Sequence, residues 1–403
     1  MITRDEFRAE VLAFLEANAE RKREVRLAWG EGSDKVAIFP ERTPEEDAAE
    51  VAAAKTWRAT VFDAGLGWIS GPEEYGGRGL PREYERVYQS AEAGFDVPSV
   101  APFGIGLGMI APTILAHARD EVKRRYLPPM YRGDVVACQL FSEPVAGSDL
   151  AGIQTKAMRD GDEWVLSGQK VWTSGAHYSD IGEIITRTDT DPTSRHKGLT
   201  MFVVDMKAPG VEVRPLRQMT GGASFNEVFF TDVRVPDEMR LGDVGHGWTV
   251  ALTTLMNERA AIGGGGVGGG LALNSRMQEL ARQLGSSGDA RVRQQLADVY
   301  VHGEVARFTS MRAMAKLRAG QLPGPELSTL KLSLTQNMQR HQKALSAILG
   351  PRLVADTGEW GTYAWSEYVL SVPGIRVAGG TDEVMKNIIG ERVLGLPKEP
   401  RGA

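Results

Sequence analysis

Cysteine is almost absent: Cys138 stands alone among 403 residues, which excludes an internal disulfide and a cysteine-ligated metal cluster. The six histidines are scattered, without an H-E-x-x-H or comparable ligand spacing, so no metal centre is expected. No run of 18 apolar residues occurs and Thr3 to Arg8 is a polar stretch. Neither a membrane span nor a secretory signal is therefore expected, and the cytoplasm is the default compartment. An excess of one charge is missing too: 47 basic and 52 acidic residues leave a formal net charge of -5, which gives no electrostatic reason to expect nucleic acid as partner. What is present is ample apolar material. With 42% hydrophobic and 25% charged residues, the chain can bury substantial cores and is read as two or three cooperating domains that fold without covalent staples.

Thr3 and Glu6 have capping-box spacing, and Phe7, Val11, Phe14 and Leu15 then share one face of an amphipathic helix. Helical texture continues from about Glu45 to Arg132, broken by the turn-rich GWISGPEEYGGRGLP at Gly67 to Pro81. Near Val135 it gives way to short runs rich in β-branched and aromatic residues, among them EWVLSGQKVWTS, GLTMFVVDM and NEVFFTDVRVP. These predict an antiparallel barrel or sandwich ending near Pro236. Long helical patterns return beyond Gly245, with stops around Gly320 to Pro325 and at Gly350-Pro351. The expected class is therefore α+β and multidomain: an all-α domain over 1–134, a β-barrel over 135–236 and a helical bundle over 237–403.

ACQLFSEPVAGSD, from Ala137 to Asp149, resembles the principal signature of the acyl-CoA dehydrogenase family, close to A-C-x-x-[ST]-E-x-x-A-G-S-D. Further landmarks follow in the family's order: P-E-E-Y-G-G-R-G at Pro72 to Gly79, K-V-W-T-S at Lys170 to Ser174, F-N-E-V-F-F-T-D-V-R-V-P at Phe225 to Pro236, and G-G-T-D-E-V-M-K-N-I-I-G-E-R at Gly379 to Arg392. The resemblance covers essentially the whole chain. It implies the acyl-CoA dehydrogenase fold, with an N-terminal helical domain, a middle β-barrel and a C-terminal four-helix bundle, and an FAD-dependent enzyme of lipid metabolism and β-oxidation that acts on an acyl-CoA.

Residue by residue, the resemblance assigns Gln139, Phe141 and Ser142 to the pyrimidine edge of FAD, where a hydroxyl and backbone N–H groups meet polar ring atoms. It assigns Trp172 and Ser174 to the isoalloxazine. Two apart on an extended strand, they project to one face, although a tryptophan in a strand is more often plain core. Ser148, in Gly147-Ser148-Asp149, falls at the thioester and pantetheine. Thr381 is expected to cap the last helix, with Glu383 also on FAD.

The reaction removes an α-proton while a hydride leaves the β-carbon, so a carboxylate must reach Cα. Many family members carry it just before the G-T of the closing motif, but Gly379 stands there and offers only a backbone N–H, suited to polarising the thioester carbonyl. A subset, resembling isovaleryl-CoA, long-chain and steroid-side-chain dehydrogenases, draws the base from a C-terminal-domain helix, one residue before an arginine. Glu258-Arg259 stands in that place, so Glu258 is the candidate base; the alternative is a solvated helical Glu–Arg pair. Gly265 and Gly269 share the helical face of Glu258 within a glycine run from Gly263 to Gly270, in which each interior glycine costs about 1 kcal/mol relative to alanine. The run fits either a wall left bare for a branched, cyclic or steroid-like acyl group, or close helix packing, or a broken helix.

Two C-terminal motifs that in typical members reach a neighbouring subunit's FAD, R-x-x-F-G and Q-x-x-G-G, are degraded here: Ala281 and Leu284 precede Gly285, and Ala347 to Pro351 replaces the second. A homo- or hetero-oligomer, a dimer of dimers, is expected. Unlike subunits would let a partner supply adenylate contacts, whereas like subunits would use Arg291 or Arg293. Electrons are expected to pass to an electron-transfer flavoprotein. The competing readings are an oxygen-using acyl-CoA oxidase or flavin monooxygenase, and a non-catalytic or half-site subunit.

Overall fold

The computed structural model describes residues 2–23, 28–39, 42–191, 193–318 and 327–398, without the side chains of 259–272, 314 and 316–318. The chain divides into two compact units: Met1–Arg26, Glu41–Gln218 and Ala223–Thr254 form the first, and Leu27–Pro40, Met219–Gly222 and Leu255–Ala403 the second.

The first unit opens with α1 (Arg4–Asn18), whose capping box at Thr3 and Glu6 forms as the spacing predicts, with Phe7, Val11 and Leu15 fully buried. A short β1 (Glu20–Arg21) follows. A second capping box, Thr43 with Glu46, starts α2 (Pro44–Asp63). The helical part is completed by α3 (Glu83–Glu92), β2 (Phe95–Asp96), paired antiparallel with β1, α4 (Ala111–His117) and α5 (Asp120–Arg132). One apolar cluster joins α1, α2 and α3 through Phe7, Trp57, Val61 and Tyr84.

Eight strands follow: β3 (Ala137–Leu140), β4 (Lys156–Asp160), β5 (Glu163–Ser174), β6 (Ile181–Arg187), β7 (Leu199–Asp205), β8 (Val211–Leu216), β9 (Phe225–Pro236) and β10 (Arg240–Leu241). Seven of them run in the order β10-β7-β6-β4-β5-β9-β8, and β3 pairs with β6. The sheet is mixed where antiparallel pairing was expected, because β3 and β4 both lie parallel to β6. A parallel pair needs a crossover, and the β4–β5 hairpin between β3 and β6 supplies that length of chain. β10 also carries the sheet beyond Pro236, Leu241 pairing with Met201.

α6 (Gly247–Gln283) begins in the first unit, is counted in the second from Leu255 on, and keeps helical backbone through the glycine run, so the broken-helix alternative is set aside. The second unit adds α7 (Ala290–Arg318), α8 (Leu327–Leu349), α9 (Trp365–Val377) and α10 (Asp382–Ile388). Its core gathers Met277, Leu280, Val299, Leu345, Trp365 and Tyr368. Within it lies a polar knot. His341 on α8 meets the Tyr368 hydroxyl of α9 at 2.7 Å through Nδ1 and Asn274 Oδ1 of α6 at 3.1 Å through Nε2, so a neutral imidazole with its proton on Nε2 satisfies all three helices.

Burial lowers His341 from an ordinary 6.5 to about 4. An imidazole held neutral in the fold binds fewer protons than in the unfolded chain, so its contribution is present above pH 6.5 and is lost as pH falls toward 4. Against a His341→Gln variant, the wild-type unfolding free energy in urea should decline by up to roughly 1.4 kcal/mol per pH unit across that window. A difference that does not change with pH would mean that His341 is not held neutral.

Candidate active site

The chain leaves β3 through Phe141, Ser142 and Glu143, and this exit is fixed by charge. Glu143 and Lys170 form an ion pair at 2.8 Å with side chains 4% and 0% exposed. The same carboxylate accepts the backbone N–H groups of Gln154 (2.6 Å) and Thr155 (3.0 Å), and Lys170 Nζ also donates to the Phe141 carbonyl at 3.0 Å. Burial works against ionising Glu143, but Lys170 and the hydrogen bonds outweigh it and hold the carboxyl below its usual range. Lys170 is drawn down by burial, which Glu143 opposes. A further bond, Val171 N–H to the Ser142 carbonyl at 2.9 Å, laces the exit to β5.

The exit segment and the end of β5 therefore share one rigid frame. On it Phe141 is buried, while Gln139 and Ser142 are half-buried. The β5–β9 register slips between Lys170 and Thr173, so Val171 and Trp172 together oppose Glu227. Trp172 sits in this bulge at φ 62, a conformation that costs a bulky residue on the order of 1–3 kcal/mol, and the residue is 58% exposed. The strand alternation by which Trp172 and Ser174 were expected to share a face is thus interrupted at Trp172 itself. The bulge, together with the edge-on ring of Phe225 at 6.0 Å, sets the indole, while Ser174 is half-buried and registers with Phe225. Ser148 is exposed in a loop whose Asp149 receives Arg195 Nη2 at 2.8 and 2.9 Å.

In the second unit, Thr381 caps α10 as expected, its hydroxyl accepting the Val384 N–H at 3.1 Å. Gly379 (φ 64) and Gly380 (φ 92) both take the left-handed backbone, so position 379 is unfavourable for any residue with a Cβ, glutamate included. Glu383 is exposed, and its neighbour Asp382 is the buried one, bound by Thr335 (2.7 Å), Arg376 (2.8 Å) and Lys331 (3.4 Å). Glu258 is half-buried on α6. The side chain of Arg259 and the surroundings of Gly265 and Gly269 lie outside the described residues.

Sequence reasoning passed over Glu143, Lys170 and Asp382. The first two stand in the A-C-Q-L-F-S-E and K-V-W-T-S segments, and their separation of 27 residues gave no sign that they would meet. Asp382 follows the capping Thr381 directly, but its partners come from α8 and α9.

Comparison with known proteins matches the family models for the acyl-CoA dehydrogenase N-terminal domain over residues 33–134, the middle domain over 138–233 and the C-terminal domain over 245–394. Acyl-CoA dehydrogenase IpdE1 of Mycobacterium tuberculosis is 34% identical over 99% of both chains. The chain belongs to the acyl-CoA dehydrogenase family. Acyl-CoA dehydrogenase FadE34 of the same organism is 39% identical over 87% of this chain, which spans only 48% of that relative's length. Among solved structures, the Tcur3481-Tcur3483 steroid ACAD superposes with a TM-score of 0.74 at 26% identity, covering 98% of each chain. The ChsE4-ChsE5 complex from Mycobacterium tuberculosis gives 0.71 at 26% identity, covering 99% of each. The middle-domain match opens at Cys138, and it includes the Glu143–Lys170 frame and Trp172.

Lys170→Met removes the cation and strands a buried carboxylate, which should destabilise the first unit by about 3–5 kcal/mol. Urea unfolding followed by tryptophan fluorescence reads the loss. A change below about 1 kcal/mol would show that Glu143 does not need its partner.

Proposed function

We propose that this chain binds FAD and catalyses α,β-dehydrogenation of an acyl-CoA thioester with a bulky, branched or steroid-like acyl group, passing electrons to an electron-transfer flavoprotein in the cytoplasm. The domain division is proposed at 134/135 and 236/237. The observation that carries the reading is Trp172, an exposed indole held on strained backbone next to the clamped β3 exit within the family's signature segments. An apolar ring presented in this way fits the flat face of an isoalloxazine, and half-buried Gln139, Ser142 and Ser174 offer polar atoms for a ring edge. Together with Phe141, Thr381 and Glu383, these are the residues that would hold FAD.

When bound, FAD supplies the two-electron acceptor for the hydride that leaves the β-carbon. The carboxylate of Glu258 takes the α-proton, and the electrons of that C–H bond become the new double bond. The Gly379 N–H polarises the thioester carbonyl and lowers the cost of the charge that develops there, Arg259 is assigned to the catalytic set beside Glu258 in the sequence, and Ser148 receives the pantetheine arm. If the bare helical face that the sequence gives at Gly265 and Gly269 borders the substrate, the acyl group would be a wide one, in keeping with the steroid ACAD among the structural neighbours.

A second reading is favoured by the degraded donor motifs and by a neighbour solved as the ChsE4-ChsE5 complex: the chain as one of two unlike subunits, its partner completing the adenylate contacts. Expressing the chain alone distinguishes the two, since full, tight FAD occupancy would remove the need for a partner.

Glu258→Gln keeps the shape and removes the base, so turnover should drop by about 10²–10⁴-fold while flavin content stays the same. Retained turnover defeats the assignment of Glu258. For the acyl group, kcat/KM should rise from butyryl-CoA to polycyclic acyl-CoAs, and a clear preference for butyryl-CoA discards the wide pocket.

A further inference from the structure

β6 carries a carboxyl group that no cation meets among the described residues. Glu183 is 0% exposed and stands opposite Gln139 of β3 and Val203 of β7 in the strand register. The Thr254 hydroxyl, on the opening turns of α6, lies 3.0 and 3.2 Å from its two oxygens. Thr254 Oγ1 is in turn 3.0 Å from Thr113 Oγ1 of α4, and Thr113 reaches the Met109 carbonyl at 2.9 Å. One turn along α4, His117 meets the Thr253 hydroxyl at 2.8 Å.

Among the described residues, the titratable and charged groups on the surrounding elements give Glu183 no positive partner. Burial lowers His117 on α4 and so disfavours its cationic form, and the buried Cys138 thiol on β3 is pushed up to about 12. Asp205 stands at the far end of β7 and Glu258 further along α6, and both are acidic. Arg187, at the end of β6 where β4 brings Lys156 alongside, spends its guanidinium on the Ile153 and Ala151 carbonyls. Burial therefore dominates and pushes Glu183 up to about 8, opposed only by the Thr254 hydroxyl.

A protonated Glu183 lets the hydrogens run one way, from its O–H to Thr254, from Thr254 to Thr113 and from Thr113 to the Met109 carbonyl, with each hydroxyl donating once and accepting once. Ionisation removes the first donor. Thr254 must then turn back to the carboxylate, and Thr113 is left to choose between Thr254 and Met109. We infer that Glu183 is an uncharged positioning residue whose one-way hydroxyl chain through Thr254 and Thr113 fastens the start of α6 to β6 and α4, and so sets the placement of Glu258. Thr254 and Glu258 are four residues apart and lie on one helical face, and a base displaced by about 1 Å can lose on the order of 10²-fold in rate. The inference rests on reading Glu258 as the base.

Glu183→Gln and Thr254→Val test it on the full chain. An amide keeps a donor for Thr254 and cannot ionise, so Glu183→Gln should hold kcat within about two-fold at pH 7, and above pH 8 kcat should fall in wild type but not in Glu183→Gln. Thr254→Val should lower kcat by about ten-fold or more at every pH with KM little changed. A carboxyl whose folded-state pKa is raised stabilises fully below its ordinary range and loses that contribution as pH rises to about 8. The melting temperature of Glu183→Gln should therefore exceed that of wild type by about 3 °C or more at pH 8, with the gain shrinking at pH 5. A difference that does not vary with pH overturns the neutral acid. A varying difference combined with a kcat profile identical to wild type overturns the positioning role. If neither protein turns over any acyl-CoA, the enzymatic reading fails separately, and amide exchange of 247–254, corrected for intrinsic rates, decides the anchor. Protection lost above pH 8 in wild type but kept in Glu183→Gln supports it, and equal behaviour overturns it.

Discussion

The ion pair between Glu143 and Lys170 is the constraint on which the candidate site in the first unit depends. Removing two charges from water costs several kcal/mol per ion, and a single contact does not recover that. Here the carboxylate also takes two backbone N–H groups and the ammonium takes a backbone carbonyl, so both charges are solvated by the chain itself. These partners are backbone groups within and just after the signature segment, and the pair can form only when the β3 exit, the segment at Gln154 and β5 are all in register. Such a pair contributes more to uniqueness than to net stability, because any misplacement leaves an uncompensated charge.

The strain at Trp172 becomes intelligible on that frame. A bulge re-aims one side chain without moving the rest of a strand, and its cost is tolerated only where the surroundings over-determine the backbone. Lys170 is anchored immediately before the bulge, and Asn226 donates to the Thr173 carbonyl at 3.1 Å immediately after it. The indole is thus turned outward from a strand that cannot relax to take it back. The left-handed pair Gly379-Gly380 ahead of the Thr381 cap is the corresponding local device in the second unit, where the absence of a Cβ makes the turn affordable.

How much of this was legible in the sequence follows from the range of each signal. The Thr3–Glu6 box, the Thr381 cap and the helix, sheet, helix order depend on residues close in the chain, and all three appear in the structure. The parallel pairing of β3 with β6 did not show, since a run of alternating residues carries no record of strand direction. The bulge at Trp172 broke a period-two argument that holds only for a regular ladder. Glu183 lay in GEIITRT without any motif around it, and its partners Thr254 and Thr113 come from α6 and α4, so its burial could be read only from coordinates.

Two buried carboxyls in one unit have been given opposite characters by their surroundings alone. Glu143 has a cation and two backbone donors and is held below its usual range, whereas Glu183 has one hydroxyl and is pushed up to about 8. They fasten different elements: Glu143 holds the exit of β3 through Lys170, and Glu183 holds the start of α6 through Thr254. The charged clamp weakens only when acid protonates Glu143, and the neutral clamp only when alkali ionises Glu183. The exit of β3 that presents Phe141 and Ser142 is therefore held by a contact that acid loosens, and the start of α6 by one that alkali loosens.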